Sequence, residues 1–316
     1  MIKPWSTALN YAVSCPGQGL VRAGMLAPYK QYQKLLENDI NLVNDSLQEN
    51  FIDKLFENDE LWLMKTSNSQ PAILTTTWFT YRLIDQIYGV DLMKNCRFVM
   101  GHSLGEYTGL LLAGIIDLPT AIKLVRKRGQ LMEKLIDGDD FGMMALLFKS
   151  RDFATILQQI PVDILGNINS NQQIILSGKL TYLNLVIDKI NHPKKIILKS
   201  LKLPVKIPFH SSILTPIASQ LSIDKYNSQL VPIISNLTGK PSFDSETTIK
   251  NTLEANYKPV QWFESMKFLS SQNITHLVNL GPGNVLSGLN KGFNIENINL
   301  DLPDSWNQIE KLKTIN

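Results

Sequence analysis

A serine between two glycines, in the segment FVMGHSLGEYTGLLLAGI (98–115), is the feature that most constrains this chain. One apolar run ends at Gly101 and another begins at Leu104. A G-x-S-x-G sequence in this context predicts a strand that turns sharply into a helix. The turn exposes the Ser103 hydroxyl, and the free N–H groups at the start of the helix would stabilise a negative oxygen beside it. We therefore predict that Ser103 is a nucleophile.

A serine hydroxyl needs a base to become nucleophilic, and the chain has four histidines. His102 adjoins the serine, so we expect its side chain to point elsewhere. His192 lies in a polar turn beside lysines, and His276 lies in an apolar strand pattern that is typical of a core histidine. His210 follows a strand pattern at the start of a helix, where parallel sheets place their chemistry. His210 is the first candidate for the base, and His276 is the second.

Arg128 occupies an unexpected side of the helix predicted from about 119 to 136. At about 100° per residue, its own side of the helix is apolar and the opposite side is polar or charged. The apolar side carries Ala121, Leu124, Val125, Leu131, Met132 and Leu135. A guanidinium placed in a core needs an anion. Three interpretations remain open: a structural salt bridge, a side chain that snorkels to water, and a fork that binds a substrate carboxylate through two hydrogen bonds.

Apolar periodicity divides the chain into a core and an insertion. Residues 1–141 and 207–316 alternate strand and helix patterns, which predicts a parallel sheet. Residues 142–206 read β-α-β-β-α-β, the ferredoxin-like order. We predict an α/β fold in which a parallel-sheet core carries this inserted subdomain. Within the core we expect a helix over 71–88 with Pro71 in its first turn.

Composition excludes several classes of protein. With 316 residues, 44% hydrophobic and 19% charged, the chain is typical of a soluble globular protein. A net charge of +3 does not indicate a nucleic-acid partner. Apolar runs such as GLLLAGII are far shorter than the ~20 residues that span a bilayer. Two cysteines form neither a disulfide framework nor a metal-ligand set, so we expect no metal.

Several further motifs stand in an informative order with GHSLGEY. They are PGQG (16–19), Arg128-Gly129 with Met132, PFHS (208–211), KPVQW (258–262) and LGPGNVLSGL (280–289). Together they resemble the malonyl-CoA:acyl carrier protein transacylase family over residues 10–292. The resemblance implies an α/β-hydrolase-like core with a ferredoxin-like insertion, in agreement with the order of elements above.

The resemblance also implies a role for each matched residue. Ser103 would accept the acyl group, His210 would act as base and acid, and Arg128 would bind the free malonyl carboxylate. The backbone N–H groups of Gln18 and Leu104 would form the oxyanion hole. The other residues implied to contact substrate are Met132, Asn167, Asn169, Phe209 and His102, with Leu104 and Phe209 as walls of the pocket. Carbonyl groups near KPVQW would orient the histidine, so no third acidic residue is needed.

The implied reaction is a ping-pong transfer. Malonyl-CoA would acylate Ser103, and the phosphopantetheine thiol of acyl carrier protein would then take the malonyl group for type II fatty acid synthesis. The resemblance implies a monomer that uses coenzyme A thioester as substrate and needs no other cofactor. It implies neither a nucleic-acid partner nor a membrane partner.

Three positions depart from the family pattern. Leu20-Val21 follow PGQG where the family often has Ser-Gln, Ala255 stands where many members have Gln, and Asn284 replaces a common Lys or Arg. The segment LVRAGMLAPYKQY after PGQG resembles mitochondrial members of yeast type. We therefore expect a mitochondrial matrix location, with bacterial cytoplasm as the alternative.

A basic strip marks the end of the insertion. Its members are Lys194, Lys195, Lys199, Lys202 and Lys206. Such runs are usually solvated surface, but acyl carrier proteins are acidic, so the strip is a candidate docking surface.

Two other functions remain open. One is a G-x-S-x-G esterase or thioesterase with His276 as base, which would pass acyl groups to water and would leave Arg128 unexplained. The other is a non-catalytic module that binds carrier protein, which would form no covalent intermediate.

Overall fold

The computed structural model describes residues 10–313 except 20, 137 and 139, so Leu20 lies outside the described residues. The strands are β1 Tyr11–Cys15, β2 Phe98–Gly101, β3 Phe141–Phe148, β4 Leu165–Ser170, β5 Gln173–Lys179, β6 Ile197–Lys202, β7 Ile233–Ile234, β8 Pro241–Ser242, β9 His276–Leu280 and β10 Glu296–Leu300. The α-helices before the insertion are α1 Glu37–Leu47, α2 Phe51–Phe56, α3 Glu60–Met64, α4 Thr66–Tyr88, α5 Leu104–Leu112 and α6 Leu118–Leu135. The later α-helices are α7 Phe153–Gln159, α8 Leu180–Ile190, α9 Thr215–Ala218, α10 Ser245–Glu254, α11 Trp262–Ser271, α12 Val285–Leu289 and α13 Glu310–Lys313.

The larger sheet has the order β10-β9-β1-β2-β7-β8. Its strands run parallel except β8, which pairs antiparallel with β7. The predicted α/β class is confirmed, although the sheet is mixed rather than wholly parallel. Strands β1 and β2 are buried along their whole length, as expected for the middle of a sheet with both faces covered. Their carboxyl ends lie side by side, since Cys15 pairs with Gly101.

The smaller sheet is antiparallel and has the order β4-β5-β3-β6. With α7 and α8 it reproduces the β-α-β-β-α-β order expected of the insertion. Strand β3 divides its side chains between two cores, because alternate residues point to opposite faces. Met143 and Ala145 join the core shared with the large sheet, whereas Met144 and Leu146 pack against the insertion's own helices. The exact limits of the subdomain, 142–206, stay a prediction.

Two backbone hydrogen bonds join the smaller sheet to the core. The N–H of Ile168 donates to the carbonyl of Val260 (2.9 Å), and the N–H of Val260 donates to the carbonyl of Gly166 (2.9 Å). Edge strand β4 is therefore attached to the KPVQW segment of the core. This attachment fixes one wall of the space between the two sheets.

Helix α4 begins earlier than predicted. It starts at Thr66, so the placement of Pro71 in the first turn is wrong and the proline lies inside the helix. The missed segment Thr66–Ser69 is polar yet buried, because α6 packs directly against it. A Cβ atom on Gly129 of α6 would stand 2.5 Å from the Cα of Ser67. Such close approach of two backbones leaves no apolar pattern in the sequence to read.

Helix α6 agrees with its prediction. Asp117 caps it by accepting a hydrogen bond from the N–H of Thr120 (2.9 Å). The apolar side named from the sequence is the side that packs inward, and Arg128 is buried with it. Among the described residues, no helix is both long enough and apolar enough to cross a bilayer. Cys15 and Cys96 are both free.

Candidate active site

Ser103 lies at the sharp turn between β2 and α5. Its backbone has φ 54° and ψ −111°, a conformation that costs free energy for a residue with a side chain. Gly101 and Gly105 must both be glycine, because neither position has room for a Cβ atom. A Cβ on Gly101 would stand 1.9 Å from the carbonyl carbon of Gly105, and one on Gly105 would stand 2.2 Å from the carbonyl oxygen of Cys15. The predicted strand–turn–helix is confirmed, and its tightness leaves the serine no alternative position.

Asn236, which the sequence analysis did not single out, braces this turn from the end of β7. Its Nδ2 donates to the carbonyl of Gly101 (2.6 Å), and its Oδ1 accepts from the N–H of Ser103 (2.9 Å). The N–H of Asn236 in turn donates to Oε1 of Glu106 on α5 (3.1 Å). One amide side chain therefore satisfies the backbone on both sides of His102 and stabilises the strained turn.

His210 meets Ser103 directly. Its Nε2 lies 2.6 Å from the Oγ of Ser103, and its Nδ1 lies 2.6 Å from the carbonyl oxygen of Ala255. Because a carbonyl can only accept, the neutral ring carries its proton on Nδ1 and offers the Nε2 lone pair to the hydroxyl. His210 also has a positive φ of 62°. The base is thus oriented by a backbone carbonyl rather than by a carboxylate.

His276 lies in the wrong place to serve this serine. It begins β9 and pairs with Tyr11, at the amino end of β1, whereas Ser103 follows the carboxyl end of β2. Its Nε2 is 3.3 Å from a carboxylate oxygen of Glu296. The partly buried ring therefore contacts a surface carboxylate at the amino ends of the strands, whereas Ser103 lies at their carboxyl ends.

A cleft of about 360 Å³ opens between the two sheets over Ser103 and His210. Of the residues implied to contact substrate, those that line it are Gln18, His102, Asn167, Asn169 and Phe209. Leu104, Arg128 and Met132 are buried and are not among the residues that line the cleft. The wall from the insertion also includes Met143, Ala145 and Ile175, which makes it largely apolar.

The amide groups predicted for the oxyanion hole flank the serine. Leu104 is the first residue of α5, whose amino-terminal N–H groups point away from the helix. Within the described residues, the N–H groups of Gln18 and Leu104 donate to no protein acceptor. The side chain of Gln18 is held by a hydrogen bond from its Nε2 to the Oγ1 of Thr66 (3.1 Å).

His102 points across the cleft to the insertion. Asn169 donates through Nδ2 to Oε1 of Gln173 (2.8 Å), so its Oδ1 faces Nε2 of His102 (3.1 Å) and accepts from it. The His102 ring also packs on Trp262, with 5.3 Å between ring centroids. Burial lowers the pKa of His102, so the ring is neutral at pH 7 and connects the two walls of the cleft.

Arg128 is 1% exposed, and its partners are neutral. Its Nε donates to Oδ1 of Asn256 (2.7 Å), and its Nη1 donates to Oε1 of Gln70 (2.8 Å). Its guanidinium carbon lies 5.1 Å from the centroid of the Tyr107 ring. The ion pairs formed by the described residues do not include Arg128, which removes the structural salt bridge, and full burial removes the snorkelling side chain.

Burial favours the neutral form of the nearby carboxyl of Glu106, and the ion pairs of the described residues do not join it to Arg128. Burial raises the pKa of Glu106 to about 8, although hydrogen bonds from Asn236 and Thr252 and the charge of Arg128 oppose the rise. Burial and the positive charge of Arg128 lower the pKa of His210 to about 3. The site therefore combines a neutral base with a buried, uncompensated cation, an arrangement that suits an anionic substrate.

In the described parts of the chain, no three His, Cys, Asp or Glu side chains lie close enough together to bind a metal ion. The groups present are a serine, a neutral histidine and backbone amides. This set performs acyl transfer through a covalent serine ester.

Comparison with known proteins agrees with this chemistry. Residues 14–280 match the family described as acyl transferase domain. The chain is 32% identical over 294 residues to the malonyl CoA-acyl carrier protein transacylase of Bacillus subtilis, covering 89% of this chain and 71% of that protein. It is 29% identical to the protein of the same name from Escherichia coli K12, covering 89% of this chain and 92% of that protein.

Solved structures give the same result. The acyl-carrier-protein S-malonyltransferase of Bartonella henselae superposes with a TM-score of 0.86 at 26% identity, covering 96% of this chain and 100% of that one. A malonyl-transacylase solved in complex with a type II polyketide synthase acyl-carrier protein superposes with a TM-score of 0.85 at 26% identity, covering 96% and 99%. The chain therefore belongs to the acyl transferase family and, within it, to the malonyl-CoA:acyl carrier protein transacylases.

Proposed function

We propose that this protein moves the malonyl group from malonyl-CoA to the phosphopantetheine thiol of acyl carrier protein, supplying fatty acid synthesis. The observation that carries the proposal is the buried, uncompensated Arg128 beside the hydrogen-bonded pair of Ser103 and His210. An acyl group with a free carboxylate supplies both the electrophile that the serine requires and the anion that the arginine lacks.

In the first half-reaction His210 takes the proton of Ser103 while Oγ attacks the thioester carbonyl. The carbonyl oxygen becomes negative and accepts hydrogen bonds from the N–H groups of Gln18 and Leu104. One donor of this kind typically changes the rate by about 10²–10³. As the tetrahedral intermediate collapses, the C–S bond breaks and Nε2 of His210 returns the proton to the coenzyme A thiolate.

The second half-reaction reverses these steps with a new thiol. His210 takes the proton of the phosphopantetheine thiol, and the sulfur attacks the malonyl ester. The same N–H groups stabilise the second intermediate, and Oγ of Ser103 leaves with the proton from His210. Throughout, Arg128 holds the far carboxylate, so the ester carbonyl stays placed over the oxyanion hole.

Donor selectivity tests this assignment. We expect Arg128→Ala to lower malonyl transfer by about 10²-fold, since each hydrogen bond to a charged group contributes about 1.5–3 kcal/mol. The rate of acetyl transfer should stay unchanged, because an acetyl group has no free carboxylate for Arg128 to bind. We call this contact between Arg128 and the carboxylate the clamp. Ser103→Ala should abolish transfer of both groups. Equal losses for both donors in Arg128→Ala would remove the carboxylate-binding role.

The two alternative functions are less well supported. An esterase that uses His276 needs a base that lies at the far edge of the sheet from Ser103. A non-catalytic module has no use for a neutral histidine 2.6 Å from a strained serine hydroxyl. Both alternatives also leave the charge of Arg128 without a purpose.

The basic strip remains the proposed docking surface for the carrier protein. Its five lysines are exposed around β6, and β6 leads directly into Leu203, Pro204 and Val205 of the cleft wall. A negatively charged carrier bound there would stand beside the cleft mouth. Reversing Lys199 and Lys202 to Glu should raise the KM for carrier protein and flatten its salt dependence, whereas Lys250→Glu on α10 should not. An unchanged KM would exclude this surface.

The location and the oligomeric state are further proposals. The mitochondrial matrix location rests on the segment after Gly19 alone, and the relatives named above are bacterial. Organelle fractionation of the source cells would test it, and recovery outside mitochondria would contradict it. A monomer is expected, so light scattering at working concentration should give the mass of one chain.

A further inference from the structure

Asn256 forms the floor beneath the guanidinium of Arg128. It is 1% exposed. Its Nδ2 donates to the carbonyl of Leu253 (2.9 Å) and to the hydroxyl of Tyr107 (2.8 Å), which determines the orientation of the amide. Its Oδ1 therefore faces Arg128 and accepts from Nε at 2.7 Å. The side chain has no freedom to rotate without leaving buried polar groups unpaired.

The guanidinium is fixed in three directions by this arrangement. Asn256 holds the Nε edge, Gln70 holds Nη1 (2.8 Å), and the Tyr107 ring covers one face (5.1 Å to the centroid). A guanidinium carries five N–H donors. Two neutral acceptors therefore orient the plane and leave donors for a substrate carboxylate.

The neutrality of Asn256 matters as much as its shape. A carboxylate at the same position would pair with Arg128 in a buried setting and cancel the charge that the substrate needs. An apolar residue would leave Nε without an acceptor, so the guanidinium would turn to find one. The amide orients the charge and leaves it uncompensated.

Asn256 also connects the clamp to the base. The preceding residue, Ala255, accepts the hydrogen bond from Nδ1 of His210 (2.6 Å). Consecutive residues of one short segment thus hold the group that moves the proton and the group that binds the charge. That segment therefore holds both the imidazole of His210 and the guanidinium of Arg128 in place.

We infer that Asn256 is a positioning residue that sets donor specificity, by presenting the guanidinium of Arg128 as an oriented and unneutralised cation to the far carboxylate of the acyl donor. The inference rests on the proposed role of Arg128. It concerns how the clamp is built, so it can fail while that role stands.

Three variants test it: Asn256→Asp, which keeps the shape and adds charge, Asn256→Leu, which removes the polar group, and Asn251→Asp on α10 as the matched control. Initial rates of acyl-Ser103 formation are measured with malonyl-CoA and with acetyl-CoA. We expect kcat/KM for malonyl-CoA to fall at least about 10-fold in both Asn256 variants, mainly through KM, while acetyl-CoA changes less than about 2-fold. The control should match the wild type.

The outcomes separate the two proposals. Suppose that both Asn256 variants keep the wild-type ratio of malonyl to acetyl rates and that Arg128→Ala lowers it. Asn256 then does not set specificity, and Arg128 still binds the carboxylate. If Arg128→Ala keeps this ratio as well, Arg128 does not bind the carboxylate. If both donors fall equally in the Asn256 variants, with a lowered melting temperature, Asn256 only supports the fold and the inference is overturned.

Discussion

Glu106→Gln is the substitution whose effect the structure predicts most fully. Glu106 has a pKa of about 8 in the fold against 4.5 for the exposed group. Between these two values the unfolded chain releases a proton that the folded chain retains, so stability falls as the pH rises from 4.5 to 8. At pH 7 the difference is about 2.5 pH units, or about 3 kcal/mol at 1.36 kcal/mol per unit.

Glutamine does not ionise, so it removes this pH-dependent cost. Relative to wild type, the free energy of unfolding of Glu106→Gln should rise by about 2–3 kcal/mol between pH 5 and pH 7. Any cost of fitting the amide into the hydrogen bonds of the carboxylic acid is the same at both pH values. Urea denaturation at each pH measures the difference.

Glu264→Gln is the matched control. Glu264→Gln on α11 removes a half-exposed carboxylate paired with Lys267 (3.0 Å), and it should show little change between the two pH values. If Glu106→Gln also shows no change, Glu106 is ionised in the fold and Arg128 has a counter-ion. In that case the uncompensated cation, on which the proposed function depends, would not exist.

Three further predictions concern the turn, the base and the second histidine. Gly105→Ala should destabilise the fold by at least about 3 kcal/mol, because its Cβ would stand 2.2 Å from the Cys15 carbonyl; thermal melts should show Gly288→Ala, which meets nothing within 4 Å, to be tolerated. Because burial and Arg128 lower the pKa of His210 to about 3, the neutral base persists in acid, so kcat/KM for malonyl-CoA should stay level from pH 7 to pH 5; an acid limb near 6.5 would contradict this. His276→Gln should leave transfer unchanged and alter stability by less than about 1 kcal/mol, since it removes one partly exposed contact with a carboxylate oxygen of Glu296; a loss of transfer would favour the esterase alternative.

The parts of the fold that were predicted from sequence are those with long periodic patterns. Helix α6 falls close to its expected position, and the insertion has the expected β-α-β-β-α-β order. Strands β8 and β10 and the true start of α4 were missed. Strand β8 has only two residues and β10 has only two buried residues, which is too few in either strand for a periodic pattern. The buried polar start of α4 depends on Gly129, which is 62 residues away from Ser67 in the sequence.

The residues of the site also divide into those that a local sequence pattern marks and those that it does not. Ser103, His210 and Arg128 were predicted because a motif or a helix face marks each one locally. Asn236 and Asn256 could not be, since an amide gives no local signal and their partners lie 133 and 128 residues away in the chain. Glu106 did leave a signal: it is a carboxyl residue in a helix that is buried on every side.

The most direct test of the central claim is a chase of the acyl-enzyme followed by intact mass. The protein is mixed with malonyl-CoA, the coenzyme is removed, and carrier protein bearing its phosphopantetheine thiol is added. We expect an adduct of one malonyl group that is absent in Ser103→Ala, survives in buffer, and passes to the carrier on addition. An adduct that Ser103→Ala retains, or one that water removes before the thiol can take it, would contradict the account.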